Sequence, residues 1–379
     1  MKRILFIIVL LSLFLLSRGV HAGSVRLSGF GSMVGGQTLS DEDLPGGGKS
    51  VYQVDPTLTG LPDAAYGDTK SFRPDSNFAL QIDSDLGEGL SITAQLTARG
   101  GNNFEIEAEW LYASYALTPQ FTATFGRQRL PLYMYSNYLN LGYAYHWIRP
   151  PVEVYGEGVS TYEGLSGLYK GFVGDWDYEL MAYTGADHNE TAVIGDLSLD
   201  LKLGLIATFS NDWLKLRASI HDGEAWVNGA PIADEDNPQD LVFYSLGFSV
   251  DRVNYFVISE ITLLEFDKYA QSALAPPFAT FDTRESWMIS MGMRFNELTP
   301  HITFSGRDAI FTGHSVPFLD DLVQGSETVN VGLRWDFHDQ AAFKVDYTSA
   351  KDKSDKTLIA LNGKTLQADV IAFGIDFVF

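Results

Sequence analysis

Along most of this chain apolar and polar residues alternate one by one. Near the C-terminus Ile371, Phe373, Ile375, Phe377 and Phe379 share one parity, and Ala372, Gly374 and Asp376 share the other. Val329, Val331, Leu333, Trp335 and Phe337 alternate with Thr328, Asn330, Gly332, Arg334 and Asp336. Leu201, Leu203, Leu205, Ala207 and Phe209 alternate with Asp200, Lys202, Gly204 and Thr208. Trp287, Ile289, Met291, Met293 and Phe295 do the same against Ser286, Ser290, Gly292 and Arg294. A period of two places the two sets on opposite faces of a β-strand. Sixteen such segments can be placed, near 24–36, 76–86, 90–101, 104–117, 121–130, 160–173, 176–187, 199–210, 213–223, 241–251, 253–266, 285–295, 298–308, 327–337, 341–352 and 369–379. Most run to about ten residues or slightly more, the length a tilted strand needs to cross a bilayer.

The links between segments alternate in length. Gly87-Glu88-Gly89, Thr118-Pro119-Gln120, Gly174-Asp175, Asn211-Asp212, Arg252, Asn296-Glu297 and His338-Asp339-Gln340 are short. Between them lie longer polar stretches at 37–75, 131–159, 188–198, 224–240, 267–284, 309–326 and 353–368, and Asn102-Asn103 is the exception, short where a long loop is due. This rhythm predicts an all-β, antiparallel transmembrane barrel of sixteen strands, with long extracellular loops, short periplasmic turns and both termini on the turn side. A soluble sandwich also alternates, but it has no reason to combine an even strand count with this loop rhythm and a terminal Phe379.

The first residues change the picture only in showing where the chain is sent. Lys2 and Arg3 precede an apolar run from Ile4 to Leu16, and Val20-His21-Ala22 has the small-residue layout of a cleavage site. We read 1–22 as a signal peptide and 23–379 as a single barrel domain, with 131–159 as a constriction loop. The run is too short for a membrane helix. No cysteine is present, so thiolate metal sites and cysteine nucleophiles are excluded, and no cofactor is expected. The net charge of −22 argues against nucleic acid as a partner.

In such a barrel the lipid-facing set must be apolar, with aromatic residues at the interfaces. Trp335, Phe337, Phe295, Phe209, Phe377 and Phe379 lie beside short turns or the terminus and read as the periplasmic girdle. Parity then places Arg26, Arg99, Lys202, Lys215, Arg217, Arg294, Arg307, Arg334 and Lys344 inside, with Asp83, Asp85, Asp200, Asp336, Asp346 and Asp376. So many charges call for a wide, wet lumen, and a wet lumen across a membrane conducts solutes. The pore-lining candidates are Arg26, Arg99, Lys215, Arg217, Arg294, Arg307, Arg334, Lys344, Asp336 and Asp346. Acid clusters at Asp41-Glu42-Asp43 and Asp234-Glu235-Asp236 read as solvated loops.

The segment 121–159 begins with a strand, continues through Phe125-Gly126-Arg127 and then runs into a long third loop. With the terminal Phe379, this resembles the trimeric porins of Gram-negative outer membranes. As architecture the resemblance covers the chain beyond the leader; as sequence it is confined to 121–130 and 369–379. It implies a homotrimer whose third loop folds into the lumen, a multi-pass location in the outer membrane beside its lipid, and assembly by the barrel-assembly machinery through the C-terminal strand. Arg149, Glu153 and Glu157 would then line the eyelet opposite Arg26, Arg99 and Arg334. The loop departs from the general-diffusion pattern in having few acids and many aromatics, among them Tyr135, Tyr138 and Tyr145. It shares the Phe-Gly-Arg start of phosphate-selective porins without a dense arginine ladder.

The aromatics either pack the loop on the wall or stack on ring-bearing solutes. Arg127 and Arg129 fall on the lipid-facing parity, so either a bulge re-aims them, or they lie at a subunit contact or above the hydrocarbon; the contact is the preferred reading, with Arg127 the candidate. Trp110, Tyr112 and Tyr115 of the fourth strand suit the same seam. The function expected is passive diffusion of small hydrophilic solutes and ions. The alternatives are a channel specific for a sugar or an anion such as phosphate and, less favoured, a barrel enzyme. The histidines sit in no Gly-x-Ser-x-Gly or His-Glu-x-x-His motif, so the enzyme reading has no nucleophile–base pair to start from.

Overall fold

A computed structural model describes residues 23–39, 52–53, 65–156, 159–191, 195–227, 238–266, 283–311, 322–354 and 367–379. The predicted signal peptide, Glu157 and both acid clusters lie outside these residues. Sixteen antiparallel strands close into a barrel. They are β1 Val25–Thr38, β2 Asn77–Gly87, β3 Leu90–Arg99, β4 Ile106–Ala116, β5 Phe121–Arg129, β6 Thr161–Val173, β7 Trp176–Thr191 and β8 Gly195–Ser210. Then follow β9 Leu214–Val227, β10 Gln239–Asp251, β11 Tyr255–Phe266, β12 Thr283–Met293, β13 Leu298–Phe311, β14 Leu322–His338, β15 Ala341–Asp352 and β16 Gln367–Val378. Several strands, β14 most of all, extend a few residues further toward the long loops than the alternation alone implied. A two-residue ladder, Tyr52↔Tyr66 and Gln53↔Ala65, lies within the first loop.

Closure needs the last strand to meet the first, since an open edge in lipid would leave backbone groups unpaired. β1 pairs β16 along Phe30↔Val378 to Thr38↔Val370 and β2 along Val25↔Ser84 to Ser32↔Asn77. Gly29 and Phe379 exchange backbone hydrogen bonds of 2.9 and 3.0 Å. The short turns use left-handed backbone where the chain must reverse, at Gly87-Glu88-Gly89, Gly174 and Asn296. The aromatic girdle faces outward, Trp335, Phe337, Phe295, Phe209 and Phe379 all being exposed.

Within β8 and β4 the alternation is broken at a bulge. In β8 the register with both neighbours shifts across Leu201–Gly204. Beyond the shift Leu203 and Leu205 face outward, but Leu199 and Leu201 are buried inside. The expectation that Asp200 and Lys202 line the lumen is therefore corrected. Lys202 lies on the outer face, bonded to Glu224 (2.7 Å) and Asp240 (2.9 Å). In β4 the partner of Leu96 is Ala108 and that of Gln95 is Trp110, leaving Glu109 as the extra residue. A bulge turns its strand locally and redirects side chains. Glu109 is buried, and Trp110 faces the interior rather than a subunit seam.

Candidate functional site

The third loop, described over 130–156 and 159–160, crosses the barrel interior and docks on the far wall. It leaves β5 beyond Gly126, whose φ of +131° favours glycine, and a Cβ there would run into the Leu111 carbonyl. Past this point the alternation of β5 is lost, so that Gln128 and Arg129 are both buried. Arg129 forms a buried ion pair with Glu109, the bulge residue of β4. Of the two readings of Arg129, the re-aimed one holds.

The docking surface combines apolar packing with hydrogen bonds from polar wall residues. Leu132, Tyr133, Tyr135, Tyr145, Trp147, Val154 and Tyr155 of the loop pack with Tyr183, Leu199, Leu201, Phe243, Phe256, Ile258, Leu264 and Met288 of the wall. Tyr135 meets Tyr145, Trp147 and Tyr155 edge-on with ring centroids 5.6 to 6.3 Å apart. Edge-to-face contact is the favoured geometry of such rings. The packing reading of Tyr135 and Tyr145 is thus the one the geometry carries. Tyr138 is half-buried beside a solvent space and remains available to a solute.

Polar wall residues tie down the loop backbone. Arg217 of β9 donates to the carbonyls of Pro131 and Leu132, the latter at 2.9 Å. Glu260 of β11 accepts from the Met134 N–H (3.0 Å) and the Tyr155 hydroxyl (2.6 Å). Trp147 donates to Thr303 (2.7 Å), and His146 bonds Ser290 (2.9 Å). Ile148 N–H donates to Asp346 (2.9 Å). Arg307 donates to the Glu153 carbonyl (2.8 Å), and Arg334 to those of Tyr143 and Tyr145 (both 2.7 Å). Lys344 reaches the carbonyls of Gly142 (2.7 Å) and Trp147 (2.6 Å) and pairs with Asp376 (2.7 Å).

These positions differ from the open, solvated wall expected of parity alone. Arg217, Lys344 and Asp346 are buried beneath the loop, and Arg307 and Arg334 are half-buried against it. Asp336 pairs with Arg334 at 2.7 Å. Arg26, Lys215 and Arg294 sit near the short-turn rim, Arg26 bonding Asp83 (3.2 Å) and Arg294 bonding Asp251 (2.6 Å). Glu153 was expected at the eyelet; it is buried on the opposite side, bonded by Ser305 (2.9 Å) and Thr328. The physical reason is that one carboxylate inside needs donors, and β13 and β14 supply two hydroxyls.

The side of the lumen that the loop leaves open runs along β1–β5. Toward the long loops lies a space of about 130 Å³ lined by Asp75, Asn77, Arg99, Arg129, Asn140, Arg149 and their neighbours. Toward the short turns lies one of about 400 Å³ lined by Ser28, Gln81, Gln95, Trp110, Arg129, Asn137, Tyr138 and Asn140. The two share Arg129, Leu139 and Asn140, which lie where they adjoin. Of the predicted eyelet residues, Arg99 and Arg149 line the same space. Arg149 is held by Asp75 (2.8 Å from Nε) and lies over the Tyr66 ring at 5.3 Å; Arg99 is held by Glu107 (2.7 Å). Arg127 faces outward, paired with Glu163 at 3.1 Å. Sequence reading missed Asp75, Glu109 and Glu260 and misplaced Arg129 and Trp110; the local signals for the latter two were Gly126 and the crowding of Glu109 beside Trp110.

No family model matches the chain, and none of the curated proteins is similar to it. Solved structures are. The outer membrane channel DcaP of Acinetobacter baumannii is 12% identical with a TM-score of 0.59, the match covering 96% of this chain and 99% of that one. OmpF of Salmonella typhi, in complex with daunomycin, is 12% identical with a TM-score of 0.58, covering 94% and 98%. The trimer form of OmpT, an outer membrane protein of Vibrio cholerae, is 10% identical with a TM-score of 0.57, covering 94% and 100%. The fold of this chain is that of the sixteen-stranded porins of Gram-negative outer membranes.

Proposed function

We propose that the protein is a passive channel of the outer membrane for small hydrophilic solutes and ions, narrowed by its third loop. One observation carries the reading: two spaces, the upper about half polar and the lower largely apolar, adjoin along β1–β5 and share Arg129, Leu139 and Asn140. A loop that merely plugged the barrel would have no need to leave this side open while packing the other. Glu153 is turned away, and the arginines around the shared region, Arg99, Arg129 and Arg149, pair with Glu107, Glu109 and Asp75.

The remaining roles follow from the same reading. Arg99 and Arg149 line the constriction. Arg26, Lys215 and Arg294 stand at the periplasmic mouth, and Arg217, Arg307, Arg334, Lys344 and Asp346 hold the loop. The neighbours include a trimer, and a homotrimer is the assembly we assign here, with the outward Arg127–Glu163 pair at a subunit contact and Phe379 as the assembly signal. The chain acts as a channel and not as an enzyme. Conductance of the purified protein in planar bilayers, with the reversal potential in a KCl gradient, tests the proposal. A KCl current that follows solute size rather than chemistry supports it, and no current overturns the channel. Esterase and protease assays on the same preparation test the non-enzymatic reading.

A further inference from the structure

The lower of the two spaces, about 400 Å³ in volume, is lined in a way that a water-filled passage does not require. Tyr138, Leu139 and Leu141 of the third loop and Phe30 and Trp110 of the wall converge on it, and each is half-buried, with part of its surface left uncovered. One such residue on a wet wall is ordinary, but five around one space form an apolar strip, the mark of a surface that meets another apolar body. Leu139 also lines the upper space, so the strip continues along the passage. Its rings are braced from behind. Tyr138 meets Tyr135 edge-on at 5.4 Å, and Trp110 lies 6.3 Å from Tyr112 on the same face of β4. Charge is cancelled: Arg129 is the one charged side chain lining this space among the described residues, and it is paired with Glu109. The polar edge is carboxamide, supplied by Asn137, exposed on the loop, and by Gln81, which accepts from Gln95 at 2.8 Å.

We propose that the passage holds a subsite for an aromatic ring carried on an uncharged, hydroxylated solute, of which an aryl glycoside is the simplest example. The proposal rests on the channel reading above and adds one exception to its dependence on size. A ring laid on the strip removes apolar surface from water on both partners. Tyr138, Phe30 and Trp110 can receive it in edge-to-face or offset contact, the arrangements that aromatic rings favour. The carboxamides beside the strip offer donors and acceptors together, which is what a group of hydroxyls requires. A ring-free sugar leaves the strip in water, and a charged solute would shed hydration there without gaining a counter-charge.

The test is block of the KCl current through the full chain in planar bilayers by phenyl β-glucoside, methyl β-glucoside and glucose. Phenyl β-glucoside is expected to reach half-block at a concentration at least about tenfold below the other two, less than complete burial of a phenyl ring would give. Leu141 lies outside the apolar packing on the far wall, so Leu141→Ser trims the strip without loosening the loop. It should keep the KCl current of the parent, weaken block by phenyl β-glucoside several-fold and leave block by methyl β-glucoside unchanged. Tyr138→Ser should act in the same direction and more strongly. Equal block by phenyl and methyl β-glucoside, or phenyl β-glucoside block undiminished in Leu141→Ser, would overturn the proposal while leaving the channel reading intact. Absence of any KCl current would overturn the channel reading and the proposal with it.

Discussion

Lys344 is the sharpest place to perturb the docked loop. It is fully buried, its ammonium donates to the carbonyls of Gly142 (2.7 Å) and Trp147 (2.6 Å), pairs with Asp376 (2.7 Å) and lies 4.9 Å from the Tyr145 ring centre. Lys344→Met keeps most of the volume and removes the charge. It leaves the nearly buried Asp376 carboxylate without its ammonium and two carbonyls without a donor. Hydrogen bonds to a charged group are worth about 1.5–3 kcal/mol each, and breaking a buried pair costs about 3–5 kcal/mol. These terms describe overlapping contacts, so about 3 kcal/mol is the working figure rather than their sum. The barrel itself is held by strand ladders that Lys344→Met does not touch, so the loss falls on loop docking. A cost of about 3 kcal/mol raises the released population roughly 150-fold. Amide hydrogen exchange over residues 142–148 reads this directly, as a rate increase on the order of a hundredfold, and single-channel records should become noisy. Replacing both partners, Lys344→Met with Asp376→Leu, should recover much of the protection, because an apolar pair carries no desolvation debt. Unchanged exchange in the single variant, or a double variant no better protected than the single, would refute the account.

Burial pushes the His146 imidazole well below its ordinary range, aided by His301 and by the charges of Lys344, Arg334 and Arg294. The docked loop thus holds a neutral ring, while a released loop binds a proton near the usual value of about 6.5. Docking is therefore at full strength above about pH 6.5 and weakens by up to about 1.4 kcal/mol per unit below it. Channel noise should rise between pH 7 and pH 5, and His146→Gln should flatten that dependence. Gly126→Ala forces a Cβ toward the Leu111 carbonyl at a positive φ and should lower heat stability by roughly 1 kcal/mol or more, read as a drop in the temperature at which the folded gel band disappears. Leu201→Asp places an unpaired carboxylate in the packed interior, whereas Leu203→Ala merely trims the outer face. The first should abolish quiet conductance and the second should leave it unchanged, and the reverse order would show that β8 carries no bulge.

Most of the architecture was legible because a membrane barrel repeats one rule. With lipid outside, each outward position must be apolar, and the parity of Ile371 to Phe379 or Trp287 to Phe295 survives in the structure. Where the rule lapsed, it lapsed for a geometric reason that single-residue parity cannot register. One extra residue at Glu109 and another near Lys202 invert every side chain beyond them, moving Trp110 and Leu201 inward and Lys202 outward. The inside was less legible than the outside. Parity separates lumen from lipid but cannot say whether a lumen residue meets water or a docked loop. Lys344 and Arg26 look alike in sequence, yet one is sealed beneath Gly142 and Trp147 and the other stands at the rim. The asymmetry that fills one half of the barrel and leaves the other open is written in contacts between distant strands.

Those distances along the chain bear on how the molecule comes together. The third loop precedes nearly all of its anchors: Leu132 waits for Arg217, 85 residues later, and Gly142 for Lys344, 202 residues later. Contacts of such separation are slow to find, since the intervening chain must first be ordered. The loop cannot settle until β9 to β15 have been laid down, so a half-built barrel exposes Tyr133, Tyr135 and Trp147 with nothing to receive them. The pairing of β15 with β16 sets Lys344 beside Asp376, and closure of β1 on β16 brings Ser32 to the same point beneath Gly142. The seam at Gly29 and Phe379 thus also serves as a timer, joining the last step of barrel assembly to the moment at which the passage takes its final width.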